Sequence, residues 1–390
     1  MVKVVEKKIL MIGLFPPPFS SGETVITQYF YDLLMTQYDV TVINMSIGVL
    51  APQNFKLASL FYYAKTIVNF FRVFSKVYFI SRRRKFDLCY LTPASSIPGH
   101  LRDIIIIKLL SKHTEKVTIN IQNGNYDVIF KRDWHASLTE AFIKRISLAI
   151  FTSEILKKKA QQFIGINKCA IIRNTVDDKI KCTDDEVKRS LIYKFTRLEF
   201  VICYISNMNP TKGYLDLLEA LIAMDVEYRK NLKVNFVGEW LSDEQLEEFN
   251  VLIKVNNLQG NIVIYGKVND REKLKSFYLD ANVFVLPTYF PREAQPVSII
   301  EALNAGVPVI STNHASIPDL IVDGYNGILV DIKSLVQIKD SVIKLLTEKK
   351  YWNNMSINAR TSFERNFTSE KIRRDIITLF NNEIYNNNKL

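Results

Sequence analysis

Short apolar runs alternate along this chain with longer segments whose apolar residues recur every three or four positions. KILMIGLF (Lys8–Phe15), VTVIN (Val40–Asn44), DLCYL (Asp87–Leu91) and the runs VTINI, LAIFT and CAIIR read as strands. Between the first two, Ile26, Tyr29, Phe30, Leu33 and Leu34 mark one face of a helix. A second helix opens at Pro98 and runs through Leu110. Strand and helix in strict alternation predict a parallel sheet covered by helices on both faces. The pattern restarts near residue 200 with EFVICYI (Glu199–Ile205), then a helix striped by Tyr214, Leu217, Leu218, Leu221 and Ile222. KVNFVG, NIVIYG, VFVLP and PVIST follow as strands. The economical reading is α/β with two doubly wound halves, residues 1–178 and 179–367, joined in the polar stretch NTVDDKIKCTDDEVKR. A C-terminal helix over about 368–390 is expected to pack back on the first half.

The 390 residues are enough for two or three domains with real cores. With 48% apolar and 23% charged residues, a disordered, collagen-like or coiled-coil chain is excluded. Cys89, Cys169, Cys182 and Cys203 form no C-x-x-C pair, which argues against a disulfide framework or structural zinc and favours a reducing cytoplasm. Of the net charge of +11, all sits early. Residues 1–165 hold 22 Lys+Arg against 11 Asp+Glu, which leaves 29 of each for the remainder. Between Asp39 and Asp87 there is no acidic residue, whereas Lys56, Lys65, Arg72, Lys76, Arg82, Arg83, Arg84 and Lys85 all lie there. Such a one-sided field suits an anionic partner.

The apolar run Ile9–Phe15 is short and no small-residue cleavage site follows, so it reads as a first buried strand rather than a signal peptide. No stretch of ~18 uncharged apolar residues exists to cross a bilayer. From Leu57, LASLFYYAKTIVNFFRVFSKVYFISRRRK interleaves its cations at helical spacing with Phe61, Tyr62, Phe70, Phe71, Phe74, Val77 and Tyr78. Two readings stand side by side: a helix lying in a membrane interface, or an amphipathic core helix with a solvated basic face.

Ligands of open α/β sheets bind beyond the carboxyl ends of the strands, so three loops carry weight. PPPFSSGE, Pro16 to Glu23, brings Gly22 to the mouth of a helix. SNMNPTKG, Ser206 to Gly213, sets Lys212 at another helix mouth, well placed for phosphate oxygens. LPTYFPREAQPVSIIEALNAGVPVIST, Leu286 to Thr312, has Glu293 on a loop and Glu301 inside an otherwise apolar helix that Pro296 opens and Gly306 stops. A carboxylate at such a position is costly unless a partner meets it. Two carboxylates so placed are natural acceptors for vicinal hydroxyls.

Here the residues carry a resemblance. Glu293 and Glu301 form the Glu-x7-Glu pair of the retaining glycosyltransferases of family 4, and VFVLPTYFPREAQPVSIIEALNAGVPVISTNHASIPDLIVDGYNGILV resembles that family's donor-site block nearly end to end. Lys212–Gly213, Gly266–Val268, RNTVD at Arg173–Asp177 and the N-terminal Pro/Gly loop are similar too. The resemblance implies the GT-B fold, two doubly wound Rossmann-like domains facing across a cleft. It implies that Glu301 accepts from ribose hydroxyls and that Glu293, with the backbone of Ala294, Gln295, Pro296 and Val297, holds the donor sugar. Lys212 with the Gly22 N–H would hold the diphosphate, and Gly266 and Lys267 would lie at the base. Charge building on the β-phosphate would be met by Lys212 and a helix N-terminus without a metal; no D-x-D pair is present. Two departures stand out. Asn207 or Met208 occupies the place of a frequent Arg, and Gln122 or Asn123 that of a frequent His; an amide cannot carry a proton as imidazole does. His100, His113 and His135 read as ordinary residues, and His314, after the donor-side strand, is the one to watch.

The expectation is therefore an enzyme, a retaining glycosyltransferase that moves a sugar from a nucleoside-diphosphate sugar (UDP ahead of GDP) to a glycan acceptor. Glu293, Lys212 and Gln122 are its candidate catalytic residues, and no cofactor or metal is required. The basic N-terminal half would bind a lipid-linked acceptor at an anionic membrane surface through Lys65, Arg72, Lys76 and Arg82–Lys85. The implied setting is O-antigen or capsule assembly, cytoplasmic and peripheral at the inner face of the membrane. The rivals are a catalytically impaired sugar-nucleotide binder, a GT-B sugar-nucleotide epimerase and a nucleic-acid binder; no recognition motif accompanies the basic run to favour the last.

Overall fold

The computed structural model describes residues 7–16, 22–46, 57–131 and 136–385; for 57–63 and 131 only the backbone is described. The chain forms two compact units, residues 1–172 with 372–390, and residues 173–371. The first is built on a parallel six-stranded sheet of β1 (Lys8–Gly13), β2 (Asp39–Asn44), β3 (Phe86–Leu91), β4 (Thr114–Ile121), β5 (Leu148–Phe151) and β6 (Cys169–Ile171), in the order β2-β1-β3-β4-β5-β6. In β1, Ile9 through Ile12 are all fully buried, as expected of a central strand packed on both faces. Ile26, Phe30, Leu33 and Leu34 of the Gly22–Leu34 helix close over it; Tyr29 only borders that core.

The last helix, Ser369–Tyr385, belongs mostly to this first unit. Ile372, Ile376, Phe380 and Ile384 enter its core, four residues apart on one stripe, and the Tyr38 hydroxyl donates to Asn381 Oδ1 at 2.6 Å.

The second unit has a parallel sheet of the same size, with β7 (Phe200–Ile205), β8 (Leu232–Val237), β9 (Ile262–Gly266), β10 (Val283–Leu286), β11 (Val309–Thr312) and β12 (Gly327–Val330) ordered β12-β11-β10-β7-β8-β9. Its boundary corrects the expected 178/179 division. Residues 173–178 fold with the second unit, because Asn174 donates two hydrogen bonds to Gln295, Thr175 donates to the Phe367 carbonyl, and Val176 enters the core. At the other end the division falls after Lys371 rather than before residue 368. All four cysteines are free.

Candidate donor site

Two strand ends of the second unit approach each other closely. The turn after β7 contains a short 3-10 helix, Pro210–Lys212, capped by Asn209, whose Oδ1 accepts from the Thr211 N–H at 3.0 Å and the Thr211 hydroxyl at 2.7 Å. Gly213 follows at φ +80° and starts the Tyr214–Ile222 helix. A Cβ there would lie 2.3 Å from the Pro287 carbonyl oxygen, so glycine is required both by conformation and by the approach of the β10 loop. The loops are laced by the Tyr289 N–H, which donates to the Thr211 carbonyl at 2.8 Å.

This lacing brings Lys212 and Glu293 together. Lys212 Nζ donates to Glu293 Oε2 at 2.6 Å, and the Thr288 hydroxyl donates to the same oxygen at 3.0 Å. The ammonium also lies 4.7 Å from the centre of the Phe290 ring. Glu293 is buried and Lys212 largely so, with side-chain exposures of 7% and 19%. From the far side β11 pins the loop: Ser311 Oγ donates to the Leu286 carbonyl at 2.6 Å and Thr312 Oγ1 to that of Thr288.

Glu301 sits in the Val297–Asn304 helix, which Pro296 caps and after which Gly306 takes φ +66°. The partner that its burial demands is Arg271, whose Nη2 donates to Oε1 at 2.7 Å, and the buried Tyr278 hydroxyl donates to Oε2 at 2.7 Å. Burial raises the Glu301 carboxyl above its ordinary range, and the Arg271 guanidinium opposes that rise. Each carboxylate oxygen has two acceptor sites, so one remains on each for a ligand hydroxyl. Glu293 and Glu301 are thus held by different cations. Gln295 is buried and structural, its Oε1 accepting the Asn174 N–H at 2.6 Å. Ala294 and Pro296 are buried beside it, and Val297 begins the helix. Gly266 has φ +64°, and Lys267 is exposed and paired with Glu239 at 2.8 Å. Of the two candidates for the missing cation, Asn207 is exposed whereas Met208 is buried in the core.

Residues 193–362 match the family model of glycosyl transferases group 1. That span contains Lys212, Glu293 and Glu301 together with the residues that orient them. This stretch is a group 1 glycosyltransferase domain. The chain is 22% identical over 364 residues to the N-acetyl-alpha-D-glucosaminyl L-malate synthase of Bacillus anthracis, covering 93% of this chain and 86% of that one. To the capsular polysaccharide biosynthesis glycosyltransferase of Staphylococcus aureus it is 26% identical over 232 residues, 60% of this chain and 58% of that protein. An Anabaena protein solved in complex with UDP superposes with a TM-score of 0.66 at 16% identity over 96% of this chain and 99% of that one, a likeness that establishes the GT-B fold.

The remaining candidate residues of this transferase lie in its first unit. Gln122, after β4, donates through Nε2 to Asn120 Oδ1 at 2.8 Å, and Asn120 in turn donates to the Tyr90 hydroxyl at 2.7 Å. Asn123 is engaged elsewhere, donating to Ser95 Oγ at 2.9 Å. Gly22 is the exposed first residue of its helix, and a Cβ there would meet nothing within 4 Å among the described residues. Residues 17–21 of the Pro16–Glu23 loop lie outside the described residues, as does His135. His100 is buried, with Nε2 3.1 Å from Thr139 Oγ1.

Glu23 was not singled out by the sequence. Burial raises its carboxyl from 4.5 to about 7, Arg102 lowers it and Asp103 adds to the rise. The native state therefore favours the protonated form. Its contribution to stability is full below about 4.5 and is lost as pH climbs through 7. Glu23→Gln, which mimics the protonated form, is expected to match the native protein at pH 4 and to exceed it at pH 8 by on the order of 2 kcal/mol. Urea midpoints of both proteins across that range check this; a constant difference refutes it.

Thr288, Phe290, Arg271 and Tyr278 were also missed. A buried carboxylate signals that a partner exists, but Arg271 stands 30 positions before Glu301 and no local spacing links them.

Proposed function

We propose that this glycosyltransferase moves a sugar, with retention, from a nucleoside-diphosphate sugar to a lipid-linked glycan acceptor in surface-polysaccharide assembly. UDP is the preferred carrier ahead of GDP. The observation that carries the proposal is the buried Lys212–Glu293–Thr288 cluster at the carboxyl ends of β7 and β10. Leaving of the nucleoside diphosphate builds charge on its β-phosphate, and the Lys212 ammonium, once exchanged from Glu293 to the bound diphosphate, meets that charge. Glu293 offers acceptors for donor-sugar hydroxyls, and Glu301 the free lone pairs for ribose. The reaction is proposed to need no metal and no protein nucleophile. The UDP bound by the Anabaena neighbour and the capsular role in the name of the staphylococcal relative support the donor and the setting.

A panel of UDP- and GDP-sugars screened by thermal shift tests this, with and without chelator. A ligand at 100 times its Kd adds ~2.7 kcal/mol, so the true donor is expected to stand clear of the others. Stabilisation by none of them refutes the donor reading.

The membrane side of the proposal rests on the Leu57–Arg83 helix. Ile67, Val68, Phe71 and Phe79 are 58–68% exposed on it, an unusual display of large apolar side chains. Lys65, Lys76, Arg82 and Arg83 are exposed along the same helix, and Arg84 and Lys85 just beyond it. Several cations of this segment are already engaged: the Arg72 guanidinium bonds Asn69 Oδ1 and the Asn44 and Ser46 carbonyls, Arg82 lies over the Tyr78 ring, and Arg84 stands 3.6 Å from Asp39. Val77 is buried and Phe74 and Tyr78 are half-buried, so the helix serves core and surface at once. The side chains of Phe61 and Tyr62 lie outside the described residues. No helix among the described residues is long and apolar enough to cross a membrane. An interfacial helix, peripheral at the cytoplasmic leaflet, is the proposed mode. At ~1 kcal/mol per cation near an anionic surface, several suffice for reversible docking. The protein is expected to sediment with phosphatidylserine vesicles at low salt, to be released by high salt, and to bind at least about tenfold more weakly as the Phe71→Ser/Phe79→Ser double variant. Equal binding to neutral vesicles, or to DNA, tells against it.

A further inference from the structure

His314 lies just beyond β11, and its Nε2 is 3.0 Å from the Phe290 carbonyl oxygen. A carbonyl only accepts, so Nε2 carries the proton and donates. That same oxygen accepts the Glu293 N–H at 3.0 Å, and the Phe290 N–H is itself anchored on Thr288 Oγ1 at 3.1 Å. The Phe290 ring carries the Lys212 ammonium on its face, with the Arg292 guanidinium 5.7 Å from its centre. One residue thus joins the backbone of Glu293 to the charge of Lys212, and an imidazole from the neighbouring strand end holds it.

The turn that presents this imidazole is itself constrained. The His314 N–H donates to the Thr312 carbonyl at 2.8 Å, and its carbonyl accepts from Ile317 at 3.1 Å. Ala315, next in the chain, is held at φ +51°, a left-handed conformation that favours glycine. Strain of this kind persists only where surrounding contacts over-determine the backbone.

We propose that His314 is a positioning residue for the donor site, setting through Phe290 the separation between the Lys212 ammonium and the Glu293 main chain. It rests on the reading of Lys212 and Glu293 as the donor-gripping pair. It adds a residue that touches no substrate. Removing the imidazole frees the Phe290 carbonyl on one side and lets the ring beneath the ammonium shift. Because a misplacement of about 1 Å can cost on the order of 100-fold, a side chain that acts only through a carbonyl is enough to govern turnover.

The test compares His314→Ala, His314→Gln, Lys212→Met and the native protein. For each, UDP and GDP are titrated by calorimetry, the melting temperature is recorded, and kcat and KM are measured with the nucleotide sugar found by thermal shift. His314→Ala is expected to lose about 10- to 100-fold in kcat with a smaller change in KM, at an unchanged melting temperature. His314→Gln, whose amide N–H reaches the same carbonyl, is expected to recover most of that loss. Native turnover in His314→Ala beside a crippled Lys212→Met overturns this inference alone. So does a parallel fall of melting temperature and activity in both His314 variants, which marks a merely structural residue. Equal nucleotide affinity and turnover in Lys212→Met and the native protein overturn the underlying donor-site reading instead.

Discussion

Lys212→Met is expected to lower sugar transfer by about 10²- to 10³-fold, whereas Glu293→Gln lowers it comparably while leaving nucleoside-diphosphate affinity intact or a few-fold tighter. The contrast follows from the pair's geometry. The ammonium is engaged by Glu293 Oε2 at 2.6 Å and by the Phe290 ring. On the proposed donor reading, a diphosphate entering the site draws Lys212 away from that carboxylate. A neutral amide at 293 weakens the competitor and frees the cation for phosphate, but it removes the anionic acceptor for sugar hydroxyls. Losing Lys212 instead strands a nearly buried carboxylate, with the Thr288 hydroxyl left to it among the described residues. The stability cost is on the order of 2 kcal/mol, below the 3–5 kcal/mol of a fully buried broken pair, because the Lys212 side chain keeps 19% of its exposure. Rates must therefore be compared well below each variant's melting temperature. Calorimetric titration with UDP, beside steady-state rates, decides the matter. If both substitutions weaken nucleotide binding to the same degree, the exchange of partners is wrong.

Glu301→Leu is expected to destabilise the second unit by about 3 kcal/mol, or roughly 6–12 °C in melting temperature. It leaves the buried Tyr278 hydroxyl without its acceptor and Arg271 without its principal anion, though Asp177, 3.7 Å away, remains. Glu301→Gln keeps an acceptor for Tyr278 and is expected to lose only about 1 kcal/mol. Its informative readout is binding. If ribose hydroxyls use the lone pairs that Arg271 and Tyr278 leave open, the 2′-deoxy nucleotide binds the native protein about tenfold more weakly than UDP. That gap then shrinks in Glu301→Gln, since the two changes remove one shared interaction. A gap of unchanged size in the variant places the ribose elsewhere.

Much of the fold was legible because it is written in local periodicity. Buried parallel strands appear as uninterrupted apolar runs, and each helix over them shows a three-to-four stripe. The strand ends shifted by a residue or two: β1 ends at Gly13, where Phe15 was expected, since the ladder stops once no neighbour remains to pair. The helix from Gly22 to Leu34 followed its stripe closely, and that from Ile97 to Leu110 followed its opening proline. The boundary at Arg173 was not legible, because composition locates a polar stretch but not the hydrogen bonds of Asn174 and Thr175 that assign it to one side.

The paired acidic residues, the lysine at a helix mouth and the glycine behind it can be read from the chain alone, since each needs only its near neighbours to be recognised. So can the need of Glu301 for a partner, because a charge in an apolar helix is costly wherever it falls. Who the partners are emerges only once the chain is folded. Lys212 and Glu293 stand 81 positions apart, Arg271 and Glu301 30, Phe290 and His314 24. These pairs meet because parallel strands deliver their carboxyl ends to the same edge of the sheet, a proximity set by strand order and register that no local spacing encodes.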